Sequence, residues 1–438
     1  MKRILVLIYC LCPVLLFGQS ILSTLEDMHS VSKGETWESI AVSHGVSVEE
    51  LQAANPDVSG KKLKKGTLLI LPKRPDPEPV SEKPEKPAPI IRTAIQDLKV
   101  GVLFPFSQKE MVAFYRGLLM SADSVRRSGV NLDIHAWDCG STMAQLEPLL
   151  PQLRELDILF GPATATQIPA IAEVCKEQGI RLVLPFWSGQ TLLDYPLVYN
   201  ATAPSSVLYE AATRKLMSYF PDKNYVIVHT GSADNRGQAL TETLTQLLAQ
   251  RTGTPRTLDI EGDDFAYEAA VNQFRDNVLV LDNSSIRSLN QLLPHLKDFR
   301  QKHPQYRLSL LGYTEWQDEA EQLLGDFFAF DTYIISPYYY NVLDDRIKLF
   351  EQTYTKNFRA YIARKNPRPA AFGFDVGLYF LSGISSLGDT FEQMQSSIRQ
   401  EPYQNWFHFE RDPSGMSFTN SFVQFIHFTT ESKVELIR

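Results

Sequence analysis

A proline-rich stretch from Pro72 to Pro89 is the feature that most constrains this fold, because it divides the chain into two separately folding parts. Proline fixes φ and lacks a backbone N–H, so its frequent recurrence here prevents helix and sheet alike. The composition favours an extended polyproline II spacer, which at about 3.1 Å per residue reaches on the order of 55 Å. We assign residues 73–96 to this linker; a proline-rich recognition ligand is the alternative interpretation.

The chain starts with a basic tripeptide, Met1-Lys2-Arg3, followed by a nearly unbroken apolar run up to Phe17. This run is too short to cross a bilayer comfortably and has the form of a secretory signal peptide. Cys10 and Cys12 do not follow the small residues that lipid attachment requires. We therefore expect residues 1–19 to be a cleaved signal peptide and residues 20–28 to be a short lead-in. The expected location is outside the cytoplasm.

Residues 29–72 show the order strand, helix, helix, strand. A strand at His29-Ser30-Val31 is followed by a helix from Trp37 to His44, with Gly45 as its stop. The second helix runs from Ser47 to Ala54, and Ser47 with a Glu three residues later is the signature of a capping box. The final strand follows a turn and ends at Pro72. The sequence therefore predicts a small βααβ domain.

The order of these elements, with the turn Lys33-Gly34-Glu35-Thr36 and the helix end Asn55-Pro56-Asp57, closely resembles the LysM family. LysM domains bind N-acetylglucosamine polymers such as peptidoglycan. The resemblance implies a glycan groove between the loop after the first strand and the loop after the second helix. Carried over to this sequence, the groove consists of Gly34, Glu35, Thr36, Trp37, Asn55, Pro56 and Asp57.

Trp37 departs from the family pattern, in which Leu usually follows the Thr. An indole at this position either stacks on a sugar ring or fills the core of the small domain. The sequence leaves both alternatives open.

After Asp97 the pattern changes to short apolar strands that alternate with amphipathic helices. Examples are the strands at 158–160 and 277–281 and the helices at 168–178 and 286–301. Such alternation predicts an α/β fold of parallel sheets covered by helices on both faces. Ligands of such sheets bind at the carboxyl ends of the strands, so the loops after the strands are the candidate site.

Those loops carry a second resemblance. The segments Val100-Gly101-Val102-Leu103-Phe104-Pro105, Asp138-Cys139 and Leu159-Phe160-Gly161-Pro162 are similar, in order and spacing, to type 1 periplasmic binding proteins. Within that group they are most similar to the branched-chain amino-acid receptors of ABC importers. The resemblance implies that residues 97–438 form two hinged lobes that close on a ligand.

The family fold also implies the division into lobes. Lobe 1 takes residues of about 97–202 and 337–404, and lobe 2 takes about 203–336 and 405–438. The three crossings between the lobes then fall near Ala201–Ser205, Ser336–Tyr340 and Asn405–Phe407.

In amino-acid receptors of this type, hydroxyl and backbone N–H groups hold the ligand carboxylate, and an acidic side chain of the second lobe meets the ammonium group. The resemblance places the carboxylate contacts at Thr164, Ala165, Thr166 and Ser188, and the acidic group at Glu315. Aromatic walls are expected from Phe106, Trp187, Tyr209 and Tyr338.

Phe186 and Trp187 stand where small residues usually leave space for the ligand. Two large rings either line the cleft or plug it, so two functions remain open. The first is a wall-anchored receptor that binds a small solute such as an amino acid or a muropeptide. The second is an interaction protein with an occluded cleft that recruits or regulates a cell-wall enzyme. Type 1 folds without transport roles include an outer-membrane lipoprotein that activates a peptidoglycan synthase.

An enzyme is the third and least favoured interpretation. The sequence has no G-x-S-x-G elbow, H-E-x-x-H, Walker A or G-x-G-x-x-G motif, and its histidines show no metal-ligand spacing. We expect no cofactor and no metal site. Cys139 and Cys175, which follow the leader, either pair or stay as free thiols.

The charge balance bears on partners. Acidic residues outnumber basic ones, 51 against 43, so no general basic field is present for nucleic acid. The expected partners are peptidoglycan, a small-molecule solute and a cell-wall enzyme or membrane protein. A Gram-negative periplasm is the expected compartment, with a Gram-positive exterior as the alternative. No segment after the leader is expected to be apolar enough to cross a membrane.

Overall fold

The computed structural model describes residues 28–44, 46–59, 62–71, 94–162, 164–188, 195–251, 253–411 and 417–438. The chain divides into two compact units between Ile91 and Arg92. The predicted signal peptide, most of the lead-in, most of the linker and the predicted helix stop at Gly45 lie outside the described residues.

The first unit has the predicted βααβ order. Its elements are β1 (Met28–Ser30), α1 (Trp37–His44), α2 (Val48–Ala53) and β2 (Leu68–Ile70). The two strands pair antiparallel, with Ser30 opposite Leu68. The capping box is confirmed: the Glu50 backbone N–H donates to the Ser47 hydroxyl (3.1 Å), and the Ser47 N–H donates to the Glu50 carboxylate (2.8 Å).

The second unit contains two seven-stranded, mostly parallel sheets, so the predicted α/β architecture is confirmed. The first sheet has the spatial order β13-β14-β7-β6-β5-β3-β4. Its strands are, in chain order, β3 (Asp97–Phe104), β4 (Asn131–Asp138), β5 (Ile158–Phe160), β6 (Arg181–Leu184), β7 (Val198–Asn200), β13 (Phe409–Arg411) and β14 (Phe418–Asn420).

The second sheet has the order β16-β15-β12-β11-β10-β8-β9. Its strands are β8 (Asn224–His229), β9 (Arg256–Asp259), β10 (Asn277–Leu281), β11 (Leu308–Gly312), β12 (Thr332–Ser336), β15 (Gln424–Phe428) and β16 (Val434–Ile437). Strands β15 and β16 run antiparallel to their neighbours, whereas β8 to β12 are parallel. Strands β10, β11 and β12 are buried along their whole length, as parallel strands covered on both faces require.

Helices cover both sheets of this unit. They are α3 (Lys109–Arg126), α4 (Met143–Leu146), α5 (Ile168–Gln178), α6 (Ser205–Tyr219), α7 (Gln238–Arg251), α8 (Asp264–Ala270), α9 (Ile286–Lys302), α10 (Ala320–Ala329), α11 (Asp345–Phe358), α12 (Pro369–Leu387) and α13 (Phe391–Met394). Helix α9 illustrates why such a segment is helical and packs on a sheet. Ser285 caps its N-terminus, and one face is a buried stripe of Leu289, Leu292, Leu293 and Leu296.

The predicted boundary of lobe 2 at residue 405 is wrong. Strands β13 and β14 belong to the first sheet, so the third crossing lies between Asn420 and Gln424. The physical reason is aromatic packing: Phe418 pairs with Tyr199 of β7, and their rings stack at 4.8 Å. The other two crossings, between Asn200 and α6 and after Ser336, lie where the sequence predicts them.

Helices α3 and α12 are in backbone contact inside the first lobe. A Cβ at Gly117 would lie 1.8 Å from the Ala370 carbonyl oxygen, and one at Gly373 would lie 2.0 Å from the Phe114 carbonyl oxygen. Among the described residues, one helix, Pro369–Ser397, is long and apolar enough to cross a membrane by length and composition, although no such segment was expected after the leader. The apolar window of that helix is 83% buried within the fold.

Candidate functional site

The loop after β1 in the first unit is held by Glu35. Its carboxylate accepts the Ser32 backbone N–H (2.7 Å) and lies 2.9 Å from Nε2 of His29. The pKa of Glu35 is lowered chiefly by the hydrogen bond from the Ser32 N–H and next by the hydrogen bond with His29. Gly34 takes a φ of +97°, which favours glycine. Glu35 therefore fixes the turn, and Gly34 and Thr36 remain exposed on it.

Two of the predicted glycan-binding residues are buried. Trp37 is 9% exposed and packs with Ile40, Leu51 and Leu69 in the core of the small unit. Asn55 is 7% exposed; its amide donates to the carbonyl oxygens of Leu51 (2.9 Å) and Ile70 (2.7 Å) and accepts the Ile70 N–H (2.7 Å).

Asn55 thus fastens β2 to the end of α2. Pro56 and Asp57 follow it and are exposed. The predicted residues that are exposed are therefore Gly34, Thr36, Pro56 and Asp57, with Glu35 partly buried.

In the second unit, the loop after β5 is anchored to the loop after β4. The Thr164 hydroxyl donates to Oε1 of Gln167 at 2.5 Å. Gln167 is fully buried, and its Nε2 donates to the carbonyl oxygens of Cys139 (3.0 Å) and Thr142 (3.1 Å). Ala165 and Thr166 are exposed just before α5, and Ser188 is exposed after β6. Hydroxyl groups therefore remain accessible at this edge of the first lobe.

The two large rings after β6 have different environments. Phe186 points into the lobe core, with ring centroids 5.0 Å from Phe114, 5.8 Å from Phe372 and 5.9 Å from Phe104. Phe106, predicted as a cleft wall, is half-buried and packs on Tyr115 at 5.3 Å.

Trp187 packs against a separate buried cluster of the first lobe. Its indole Nε1 is buried and has no hydrogen-bond partner among the described residues. One of the two rings therefore fills the core, and the other leaves a polar atom unsatisfied near the strand ends.

At the edge of the second lobe, Glu315 lies in a short 3-10 helix, Thr314–Glu319, that follows β11. Its side chain is exposed and accepts a hydrogen bond from the Ser284 hydroxyl (3.3 Å). Burial and then the charge of Glu315 raise the pKa of Tyr209. The pKa of Tyr338 is raised chiefly by burial and further by the negative charges of Asp318 and Glu315. The structure thus brings Glu315, Tyr209 and Tyr338 together, with both tyrosines more than nine-tenths buried.

Sequence reasoning missed Arg236 and Asp234, which lie beside this group. The guanidinium of Arg236 pairs with both carboxylate oxygens of Asp234. The pKa of Arg236 is raised chiefly by its pairing with Asp234, and the charge of Glu315 raises it further. The loop after β8 was a candidate from the sequence, but its charged residues were not singled out.

Direct hydrogen bonds link the chain segments that lie at the crossings. Asn420 Nδ2 donates to the Ala201 carbonyl (3.2 Å), and the Tyr339 N–H donates to the Gln404 carbonyl (3.0 Å). Across the lobes, Asn366 Nδ2 donates to Oδ1 of Asp318 at 3.2 Å. Asp318 belongs to the same short helix as Glu315, so this contact ties the candidate acidic group to the segment that precedes α12.

Among the described residues are four cavities with volumes of about 20 to 750 Å³. None of them is lined by the predicted cleft residues. The predicted cleft residues therefore lie outside these four cavities.

The two thiols do not suit catalysis. Cys139 and Cys175 are free and buried, and burial raises the pKa of Cys139 to about 11 and that of Cys175 to about 12. Both groups are therefore protonated at neutral pH and poor nucleophiles. Within the described ranges, no group of three or more His, Cys, Asp or Glu side chains is arranged to hold a metal ion.

Comparison with known proteins gives a class for each unit. Residues 29–72 match the family model of the LysM domain. This segment of the first unit is a LysM domain. No curated protein matches the chain.

The second unit has the fold of type 1 periplasmic binding proteins. One similar solved structure is that of a branched-chain amino acid ABC transporter from Rhodospirillum rubrum. The similarity covers 78% of this chain and 100% of that protein, with a TM-score of 0.56 and 14% sequence identity. Full-length LpoA from Haemophilus influenzae is similar over 79% of this chain and 59% of its own, with a TM-score of 0.50 and 12% identity. At such identities the likeness concerns the fold.

Proposed function

We propose that this is an exported, wall-associated protein whose LysM domain binds N-acetylglucosamine-containing glycan of peptidoglycan. The match of residues 29–72 to the LysM domain supports this proposal. The exposed turn at Gly34 is the surface that we assign to the acetamido groups of the glycan. The backbone of Thr36 is already engaged, because its N–H donates to the Ser39 hydroxyl (2.8 Å) and its carbonyl accepts the Ile40 N–H (3.0 Å). Pro56 and Asp57 supply the second exposed loop.

The bilobal domain, in this proposal, binds a small solute with a carboxylate and an ammonium group, such as an amino acid or a muropeptide. The single observation that supports it is the exposed carboxylate of Glu315 at the end of β11, beside Tyr209 and Tyr338. Parallel sheets bind ligands at this end of their strands. On the other lobe, the Thr166 and Ser188 hydroxyls and the N-terminus of α5 suit a carboxylate.

The proposal assigns no reaction to the chain. Both thiols are buried and protonated, and the matched folds are those of binding proteins.

A thermal-shift screen of the full chain against amino acids and muropeptides tests the receptor function. A true ligand raises the melting temperature in a concentration-dependent way. The Glu315→Gln variant should lose the shift for ligands that carry an ammonium group, and the matched Glu321→Gln variant, on the exposed side of α10, should keep it. A shift that both variants retain would remove Glu315 from the site.

A second candidate is a protein that recruits or regulates a cell-wall enzyme through a domain with an occluded cleft. Two observations favour it: the Phe186 ring packs into the lobe core, and the predicted cleft residues line none of the four cavities described above. Its test is the rate of a purified peptidoglycan synthase or hydrolase with and without the full chain. A changed rate, together with no thermal shift from any solute in the screen, would support this second function over the receptor.

A further inference from the structure

A groove of about 750 Å³ lies on the first lobe, between α11 and the loop that leads to α12. Basic side chains dominate its lining: Lys348, Lys356, Arg364 and Arg368 stand against the single carboxylate of Glu351. Tyr361 also lines the groove and is 89% exposed. None of the predicted cleft residues lines it, so the groove is separate from the candidate solute site.

The four cations of the groove differ in their partners. Lys348 pairs with Asp345 at 2.8 Å, and Nη1 of Arg368 lies 3.4 Å from Glu351. Lys356 and Arg364 are exposed and form no ion pair with any described residue. Two positive charges are therefore available to a ligand at the rim.

Arg368 provides an independent sign of a binding site. Its side chain is held under the Tyr340 ring at 4.2 Å and is only 9% exposed. Its Nε is buried and has no hydrogen-bond partner among the described residues. A buried guanidinium N–H without an acceptor is costly, so an entering carboxylate would gain a charge-assisted hydrogen bond.

The arrangement suits a chain of carboxylates better than one small anion. Lys348 and Lys356 are eight residues apart on one face of α11, which corresponds to about 12 Å along the helix axis. The stretch 356–368 contains five basic residues and no acidic one, in a protein whose net charge is −8. The exposed ring of Tyr361 adds apolar contact area beside the charges.

We propose that this groove binds an acidic segment of a protein partner, with carboxylates at Lys356, Arg364 and Arg368 and an apolar side chain against Tyr361. Charge complementarity provides the specificity, because the positive groove stands out on an acidic protein and steers an anionic segment towards it. The proposal does not depend on a ligand in the cleft or on glycan binding.

The test measures fluorescence anisotropy of a labelled peptide with the repeat Glu-Glu-Leu added to the full chain. A peptide with Gln in place of each Glu is the probe control. We expect the Glu peptide alone to bind, with an affinity that falls as salt is raised from about 50 to about 200 mM. The double variant Lys356→Gln/Arg364→Gln should weaken binding by about tenfold.

Matched variants separate the groove from general charge. Arg251→Gln/Arg287→Gln removes the same charge from exposed positions on the second lobe and should leave binding unchanged. Lys356→Arg/Arg364→Lys keeps the charge and should retain binding. Equal losses in the groove variant and the second-lobe variant would overturn the proposal. So would displacement of the peptide by an equal concentration of inorganic phosphate, because a site for single small anions would then explain the binding.

Discussion

Oδ2 of Asp375 accepts the backbone N–H of Asn405 at 2.8 Å, which joins the buried helix α12 directly to the segment that pairs with the second crossing. The same carboxylate accepts the N–H groups of Tyr403 and Gln404, each at 2.8 Å. Asp375 is 2% exposed. One buried carboxylate therefore positions three consecutive residues beside the hinge.

We predict that Asp375→Asn lowers the free energy of unfolding by about 1–3 kcal/mol at pH 7. The amide NH2 of Asn cannot accept hydrogen bonds, so at least one of the three backbone N–H donors loses its partner. Urea denaturation of both proteins measures the difference. The exposed Asp222→Asn variant is the control and should change stability by less than about 0.5 kcal/mol. Equal stability of the Asp375 variant and the parent would contradict the role assigned to this carboxylate.

The same residue predicts a pH dependence. Burial raises the pKa of Asp375 from 3.8 to about 7, against the lowering effect of the three N–H donors. Between these two values the folded state holds a proton that the unfolded state has lost. The stabilising contribution of this group is therefore complete below about pH 4 and falls as the pH rises towards 7.

Urea titrations from pH 4.5 to pH 7.5 should accordingly show that the parent loses more stability with rising pH than Asp375→Asn does. The slope attributable to one group is at most about 1.36 kcal/mol per pH unit. A parent that instead gains stability relative to the variant over this range would show that the N–H donors outweigh burial.

The packing of α3 on α12 gives a third prediction. Gly373→Ala places a Cβ within 2.0 Å of the Phe114 carbonyl, so the helices must separate. We expect a loss of about 1–3 kcal/mol or more in unfolding free energy. Gly325→Ala, in α10 with open space around the Cβ, is the control and should stabilise by up to about 1 kcal/mol. Thermal unfolding of the two variants measures the contrast, and similar melting temperatures would rule out close contact of these helices.

Local signals were sufficient for much of this fold. Strands β5 and β10 and helix α5 have the predicted bounds, because short β-branched or apolar runs between turns and a Gly after the helix are local features. The capping box at Ser47 and Glu50 is local in the same sense.

Features that depend on distant contacts were harder to predict. The third crossing was misplaced because the aromatic run after Asn405 is equally compatible with either sheet, and only the stacking of Phe418 on Tyr199 decides between them. The site beside Glu315 includes Arg236, whose proximity follows from the pairing of β8 with β10 and of β10 with β11. Nothing near Arg236 in the sequence indicates that neighbour.

The wall-anchoring proposal predicts that the mature protein co-sediments with purified peptidoglycan and that a chain beginning at Ile91 does not. The division of the chain into two compact units at this position makes the shortened protein a fair test. Gel filtration and circular dichroism should confirm that it remains folded. Equal pelleting of the two proteins would mean that the bilobal domain, and not the LysM domain, binds the wall.

Trp37 allows the two interpretations of its indole to be separated. Its ring is 9% exposed and packs with Ile40, Leu51 and Leu69. We therefore expect the affinity of Trp37→Leu for glycan to stay within about threefold of the parent's. The smaller side chain should lower the free energy of unfolding by about 1–3 kcal/mol. Leu is the residue that the family resemblance leads us to expect at this position. Binding of N-acetylglucosamine oligomers by calorimetry and unfolding of the same samples measure both quantities. If the indole instead stacks on the sugar, the variant loses affinity by tenfold or more while its stability hardly changes, because removal of a stacking ring affects the complex and not the core.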